Sequence, residues 1–240
     1  MQLYAGTSGY AYKEWKGHFY PEKLPADRML EHYGTRLRTV EVNNTFYRMP
    51  SEKAVAQWDA AVPAGFAFTI KASRRITHQA RLKDCADPVR FLHERIALLG
   101  DKLGCVLYQL PPLLRKDLPL LEEFLKVLPA KTPAAMEFRH LSWYDDEVYE
   151  VLRAKNAALC TGDGQVRDGK TKVDPPFAST ADWGYLRLRG EAYDAAALDS
   201  WATRIREQPW SRAFVYFKHE DEAAGPKLAA RFTELWNKTT

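Results

Sequence analysis

Cysteine is scarce, long apolar runs are missing and charges of the two signs nearly cancel, and each shortage removes a class of function. Cys85, Cys105 and Cys160 are the three cysteines of the chain. Odd in number and far apart, they suit neither a disulfide framework nor a zinc-ligand pattern, so a reducing, cytoplasmic setting is expected. No apolar run approaches the ~20 residues needed to span a bilayer, and the opening MQLYAGTSGY has no basic start followed by an apolar stretch. Neither export nor a membrane partner is expected. Thirty-five Lys and Arg against thirty-one Asp and Glu leave a net charge of +4, too small to indicate a nucleic-acid binder unless the cations cluster on one face. No Pro/Gly/Ser linker divides residues 1–240, so one domain is expected. No feature of the sequence sets an oligomeric state.

What is present is ordinary in bulk and regular in order. Hydrophobic residues at 46% and charged residues at 28% are those of a folding globular chain. Eight short apolar runs recur along it: QLYAG, TVEVN, AFTIKA, GCVLYQL, AAMEFR, AALCTG, YLRLRG and AFVYFKH. Between them DRMLEHYGTRL, SEKAVAQWDAA, DPVRFLHERIALLG, LPLLEEFLKVL, DDEVYEVLRAK and DAAALDSWATRIREQ carry apolar residues at helical spacing, and AAGPKLAARFTELW closes the chain likewise. Ser51 and Asp87 suit helix N-caps, Pro88 suits a first helical turn, and Pro111 with Pro112 ends a strand. TGDGQVRDGKTKVDPPFASTAD, residues 161–182, is rich in Gly, Asp and Pro and reads as a long loop in place of the sixth helix.

Alternating strands and helices imply a parallel sheet with right-handed crossovers. Eight units in a chain of this length, and no G-x-G-x-x-G loop after the first strand, favour a single (β/α)8 TIM barrel over an open doubly wound sheet. Residues two apart on a strand share a face. Val40, Val42, Phe68, Ile70, Val106, Tyr108, Met136, Phe138, Leu186 and Leu188 then face the helices. Their neighbours face inward, and toward the strand ends these are Glu41, Asn43, Lys71, Gln109, Glu137, Arg139, Asp163, Arg187, Arg189 and Lys218. Thr39, Ala67, Cys105 and Ala135, nearer the strand starts, form a plug beneath them. Active sites of this fold sit at the C-terminal rim, so the polar set marks a candidate site with a cationic surplus that suits a small anionic ligand such as a phosphate ester. The plainer alternative is a satisfied ionic network across the barrel.

The stretches GTSGYAYKEWKGHFYP, VEVNNTFYRMP, AFTIKASRRITH, KLGCVLYQLPP, MEFRHLSW and YLRLRG closely resemble the YecE-like family, domain of unknown function 72, over roughly residues 5 to 190. The resemblance implies a TIM barrel of unassigned activity. Its characteristic positions fall on Glu41, Asn43, Thr45, Phe46, Tyr47, Lys71, His78, Gln109, Pro111, Glu137, Arg139, His140 and Trp143. The chain departs from the pattern at Arg189, where a histidine is common, and at Lys218 and His219, where asparagines are usual. If those positions contact the ligand in other members, these departures imply either a more cationic substrate site or a lost activity.

Several chemical roles are open. Glu41 and Glu137 suit an acid and base pair, with Lys71 or Arg139 setting their protonation, and His140 is a third candidate catalytic group; paired carboxylates in a barrel also suit glycoside hydrolysis. His78, His140 and His219 follow strands and suit proton transfer or metal ligation at the rim, although a surface or supporting role is the simpler reading of each. Barrels that hold divalent metals use several aligned His and carboxylate ligands, few of which are matched here, so neither a metal nor a cofactor is expected. Tyr10, Tyr12, Trp15, Phe46, Tyr47 and Trp143 suit stacking on bases or sugars, or else a small core capping the rim. Arg74, Arg75 and Arg81 suit phosphate contacts or a solvated face. The expected function is a metal-independent hydrolase or isomerase acting on a small phosphorylated or nucleotide-like ligand. Its candidate ligand-binding residues are Asn43, Tyr47, Lys71, His78, Gln109, Arg139, Trp143, Asp163, Arg187, Arg189 and Lys218. The alternative is a noncatalytic nucleic-acid-binding module using the aromatic loops and the cationic rim.

Overall fold

A computed structural model describes residues 1–164, 166–168, 171–190, 192–219 and 221–238. In chain order its elements are β1 (Gln2–Ser8), α1 (Met29–Gly34), β2 (Thr39–Val42), α2 (Glu52–Ala61), β3 (Ala67–Lys71), α3 (Ala86–Ile96), β4 (Leu103–Gln109), α4 (Leu118–Val127), β5 (Ala134–Glu137), α5 (Asp146–Ala154), β6 (Ala158–Gly162), β7 (Val166–Asp168), β8 (Thr171–Val173), β9 (Trp183–Leu188), α6 (Ala195–Arg206), β10 (Arg212–Phe217) and α7 (Ala224–Lys238). Eight parallel strands close into a barrel in the order β1, β10, β9, β6, β5, β4, β3, β2. This is the (β/α)8 barrel that the alternation predicts. Between β6 and β9 the described residues contain no helix, as expected, but the loop is not wholly irregular: β7 and β8 pair antiparallel, with Val166 opposite Val173.

Local signals explain most element boundaries. Ser51 accepts a hydrogen bond from the Ala54 N–H at 3.2 Å and starts α2; Asp117, Asp145 and Asp194 cap α4, α5 and α6 in the same way. Asp87 is not a cap. The helix begins one residue earlier, at Ala86, and Asp87 sits in its first turn, paired with Arg90 at 2.8 Å. The predicted helix over 87–100 also breaks at Ile96, because Gly100 turns to φ 50° and the chain tightens into a 3₁₀ segment before β4.

The period of two divides the core as expected. Every residue assigned to the helix-facing set lies in the apolar layer between barrel and helices. A second cluster fills the barrel, and it is lopsided: Ala67, Cys105, Leu107, Ala135, Ala158 and Cys160 from β3 to β6 meet Tyr4, Trp183, Tyr185, Phe214 and Tyr216 from β1, β9 and β10. Small side chains on one arc leave room for aromatic ones on the other, which keeps the interior at native density. Above them the Tyr216 hydroxyl shares hydrogen bonds with Thr39 and Thr69, at 2.7 and 2.6 Å. Gly6 is needed for this closure, since a Cβ there would lie 2.1 Å from the Thr39 carbonyl oxygen, a backbone atom that cannot swing aside. Gly6→Ala is expected to cost at least about 1–3 kcal/mol, read as a lowered midpoint in urea unfolding; an unchanged midpoint would contradict this packing.

Candidate functional site

The inward residues at the strand ends meet as a buried ionic bridge. Arg187, near the end of β9, donates from one terminal nitrogen to Glu41 of β2 and from the other to Glu137 of β5, both at 2.7 Å. All three side chains are at most 2% exposed. A planar guanidinium suits this span because its two ends point at two acceptors at once. Gln109 of β4 donates its amide to both Glu137 oxygens at 2.8 Å, and the Tyr185 hydroxyl donates to Glu41. Burial pushes the Glu137 carboxyl up, but Arg187, Lys71, Gln109 and Arg139 together outweigh it and hold the group below the usual carboxylate range. Glu137 is thus held ionised, which suits an acceptor and opposes a role as general acid.

Around this bridge the charge is positive. Arg189 approaches Glu137 at 3.7 Å with part of its guanidinium only, and its Nε is buried without a protein acceptor. The Nε of Arg139 and the hydroxyl of Ser8 are buried and unpartnered in the same way. Ser8 pairs in register with Glu41 and ends the inward series Tyr4, Gly6, Ser8 on β1. Buried donors normally have partners, so three such atoms at one end of a barrel are unusual. Lys71 ends β3, and its Nζ lies 4.4 Å from the centre of the Phe46 ring. Burial and the neighbouring Arg187 push this amine down to about 8, against the opposing pull of Glu137 and Glu41. His78 stands edge-on to the same ring at 4.9 Å, and its Nδ1 shares a hydrogen bond with Thr77 at 2.9 Å. Burial, Lys71 and Arg139 lower its proton affinity, which favours the neutral imidazole.

Other candidates fall elsewhere. Trp143 does not face the mouth: it is 0% exposed, stacked 4.8 Å from Phe138, and donates its indole N–H to the Leu114 carbonyl at 2.7 Å. The chain turns back after β5 and carries the ring into the outer layer. Asp163 lies one residue beyond β6 and is engaged by the Arg189 backbone N–H at 2.6 Å and by the Tyr193 hydroxyl. Both contacts tie it to the loop after β9. His140 accepts from the Ser142 N–H at 3.1 Å and caps the turn at Leu141–Trp143. Lys218 reaches the solvent edge, its backbone N–H bound to the Leu188 carbonyl at 3.0 Å. His219 bonds through Nε2 to the Gly190 carbonyl. Asn43 donates weakly to the Glu41 carbonyl at 3.4 Å, and Tyr47 is 74% exposed beside a separate groove with Met49, Trp58 and Phe91.

Of the loop aromatics, Trp15 is buried, and Tyr10 and Tyr12 pack against the core, so these three cap the rim and offer little stacking surface. Among the described residues, no three His, Cys, Asp or Glu side chains converge in a way that could hold a metal ion. A cleft of about 350 Å³ occupies the opposite end, between Lys131, Lys155, Asp182 and Arg212. Its walls are strand starts, the face this fold devotes to stability. Ser8 and Tyr185 are the site residues that sequence reasoning missed; alternation from Tyr4 and from Arg187 reaches both.

A family profile described as "Protein of unknown function DUF72" matches residues 4–240. The chain is 33% identical to UPF0759 protein YecE of Escherichia coli K12 over 116 residues, 48% of this chain and 43% of that one. It is 27% identical to UPF0759 protein YunF of Bacillus subtilis over 158 residues, 62% of this chain and 54% of that one. The matched segments thus span about half the length of these curated relatives. A crystal structure of a DUF72 family protein from Thermotoga maritima superposes with a TM-score of 0.85 at 26% identity, covering 99% of this chain and 100% of that one. The family profile covers nearly the whole chain and the barrel superposes on a family member, so the chain belongs to the DUF72 family.

Proposed function

We propose that the barrel mouth binds a small phosphorylated or nucleotide-like anion and that the protein is an enzyme, a hydrolase or isomerase, acting on it there, with the whole chain 1–240 working as one unit. The observation that carries this reading is the set of buried donors without acceptors, Ser8 Oγ, Arg139 Nε and Arg189 Nε, at the cationic end of the barrel. Leaving a buried donor unsatisfied costs about 1–3 kcal/mol, so a site that keeps several is best explained by an acceptor that arrives with the ligand. Arg187 takes the short contacts of Glu41 and Glu137, at 2.7 Å, and leaves Arg189 a longer approach to Glu137 at 3.7 Å. Their role in this reading is to hold a platform in place rather than to form an acid and base pair. The nucleic-acid alternative loses support because Trp15 and Trp143 are buried.

A thermal-shift screen tests the proposal. A phosphate ester at a hundred times its Kd stabilises by about 2.7 kcal/mol, worth roughly 5–11 °C in a domain of this size, while its dephosphorylated counterpart shifts nothing. Shifts from uncharged sugars alone, or from nucleic acid alone with steep salt dependence, would contradict it.

A further inference from the structure

We propose that Lys71 is a nucleophile that forms an imine with an aldehyde or ketone whose anionic group is held by the Arg139 and Arg189 side of the mouth. The anionic half of this substrate rests on the function proposed above; the imine has its own grounds. Lys71 is the last residue of β3, and its carbonyl is pinned by the Thr45 hydroxyl at 2.7 Å, so the side chain leaves a fixed backbone at the end of the barrel where ligands arrive. Arg187 is sealed between two carboxylates, but the Lys71 amine makes no ion pair with Glu41 or Glu137. It rests on the Phe46 ring instead. An amine held against an aromatic face, partly buried and beside other cations, is the setting in which lysine becomes a nucleophile.

The groups that face it set its protonation. Glu41 from β2 and Glu137 from β5 favour the charged form, while Arg187 from β9 and Lys218 beyond β10 oppose it. Arg139 and His78 lie near enough to complete the electrostatic cluster. With the amine pushed down to about 8, roughly a tenth of molecules carry it neutral at pH 7, about three hundredfold more than for an ordinary lysine. The step balances without another reactant. The Nζ lone pair forms the bond to the carbonyl carbon, and the carbonyl oxygen leaves as water with the two hydrogens of the neutral amine, giving C=N. Once protonated, that imine is an electron sink for breaking a bond at the neighbouring carbon, which suits an isomerase.

Reductive trapping tests this. The full chain is incubated with dihydroxyacetone phosphate or with dihydroxyacetone, reduced with sodium cyanoborohydride, and mapped by peptide mass spectrometry. The expected result is a reduced adduct concentrated on Lys71, formed faster with the phosphorylated ketone, and rising with pH to half its maximum near 8. Lys71→Arg, confirmed to melt cooperatively, keeps the charge and carries no adduct. Adducts scattered over surface lysines with none enriched at Lys71 would overturn the proposal, even if phosphate esters still raise the melting temperature. Equal labelling of Lys71 by both ketones would leave the imine standing and remove the anion-binding reading.

Discussion

Arg187→Met leaves two buried carboxylates without their cation, and the variant is expected to lose about 3–5 kcal/mol of stability. That is a large part of what a domain possesses. The loss comes less from the attraction removed than from the charge left behind. Glu41 and Glu137 lie on opposite sides of the mouth, no more than 2% exposed, and each uses Arg187 as its short ionic contact. Arg187→Lys keeps one positive charge but has no planar fork to reach both acceptors, so an intermediate loss is expected. Equilibrium urea unfolding of the three proteins measures the order. Acid should mimic part of the effect. Glu137 is held below its unfolded value of 4.5, so its contribution is complete above that pH and disappears as pH falls through the lower folded value. A wild-type midpoint unaffected by Arg187→Met would show that the bridge is dispensable.

Arg139→Ala combined with Arg189→Ala is expected to have the opposite signature. Charge-assisted hydrogen bonds contribute about 1.5–3 kcal/mol each, so the pair should weaken binding of a phosphate ester by two orders of magnitude or more. Stability should not fall with it. Glu137 keeps Arg187 and Gln109 as partners, and each substitution removes a buried donor that has no acceptor in the free protein. The double variant is therefore expected to melt at or above the wild-type temperature, the stability and function trade-off of a site built for something not yet bound. Titration calorimetry with the ester and a melting curve read the two effects separately. Lost stability with retained binding would mean that these arginines serve the fold.

The fold was legible because a barrel writes its geometry into the chain with a period of two. Val40 and Val42 face out while Thr39 and Glu41 face in, and the same parity puts Gln109, Glu137 and Arg187 in the mouth. Pairing was not legible. Arg187 meets partners 146 and 50 positions away, and nothing local distinguishes the cation that bridges two carboxylates from those that do not. Past the strand ends the period of two is an uneven guide: Arg139 and Arg189 still reach Glu137, but Asp163 is engaged by the loop after β9 and Trp143, well beyond β5, is carried into the outer core. A lone serine in a turn-rich stretch carries no compositional signal, and Ser8 stands out only once the register sets it beside Glu41 with its hydroxyl buried and unpartnered.

A preformed anion site, organised on the Glu41–Arg187–Glu137 bridge and lined by donors that await an acceptor, should take up an oxoanion without rearranging. An anomalous difference map from crystals soaked in tungstate tests it most directly. The expected result is a peak in the mouth within hydrogen-bond distance of Arg139 and Arg189, lost when phosphate is added in excess. Tungstate bound only at the outer surface, with none in the mouth, would contradict it.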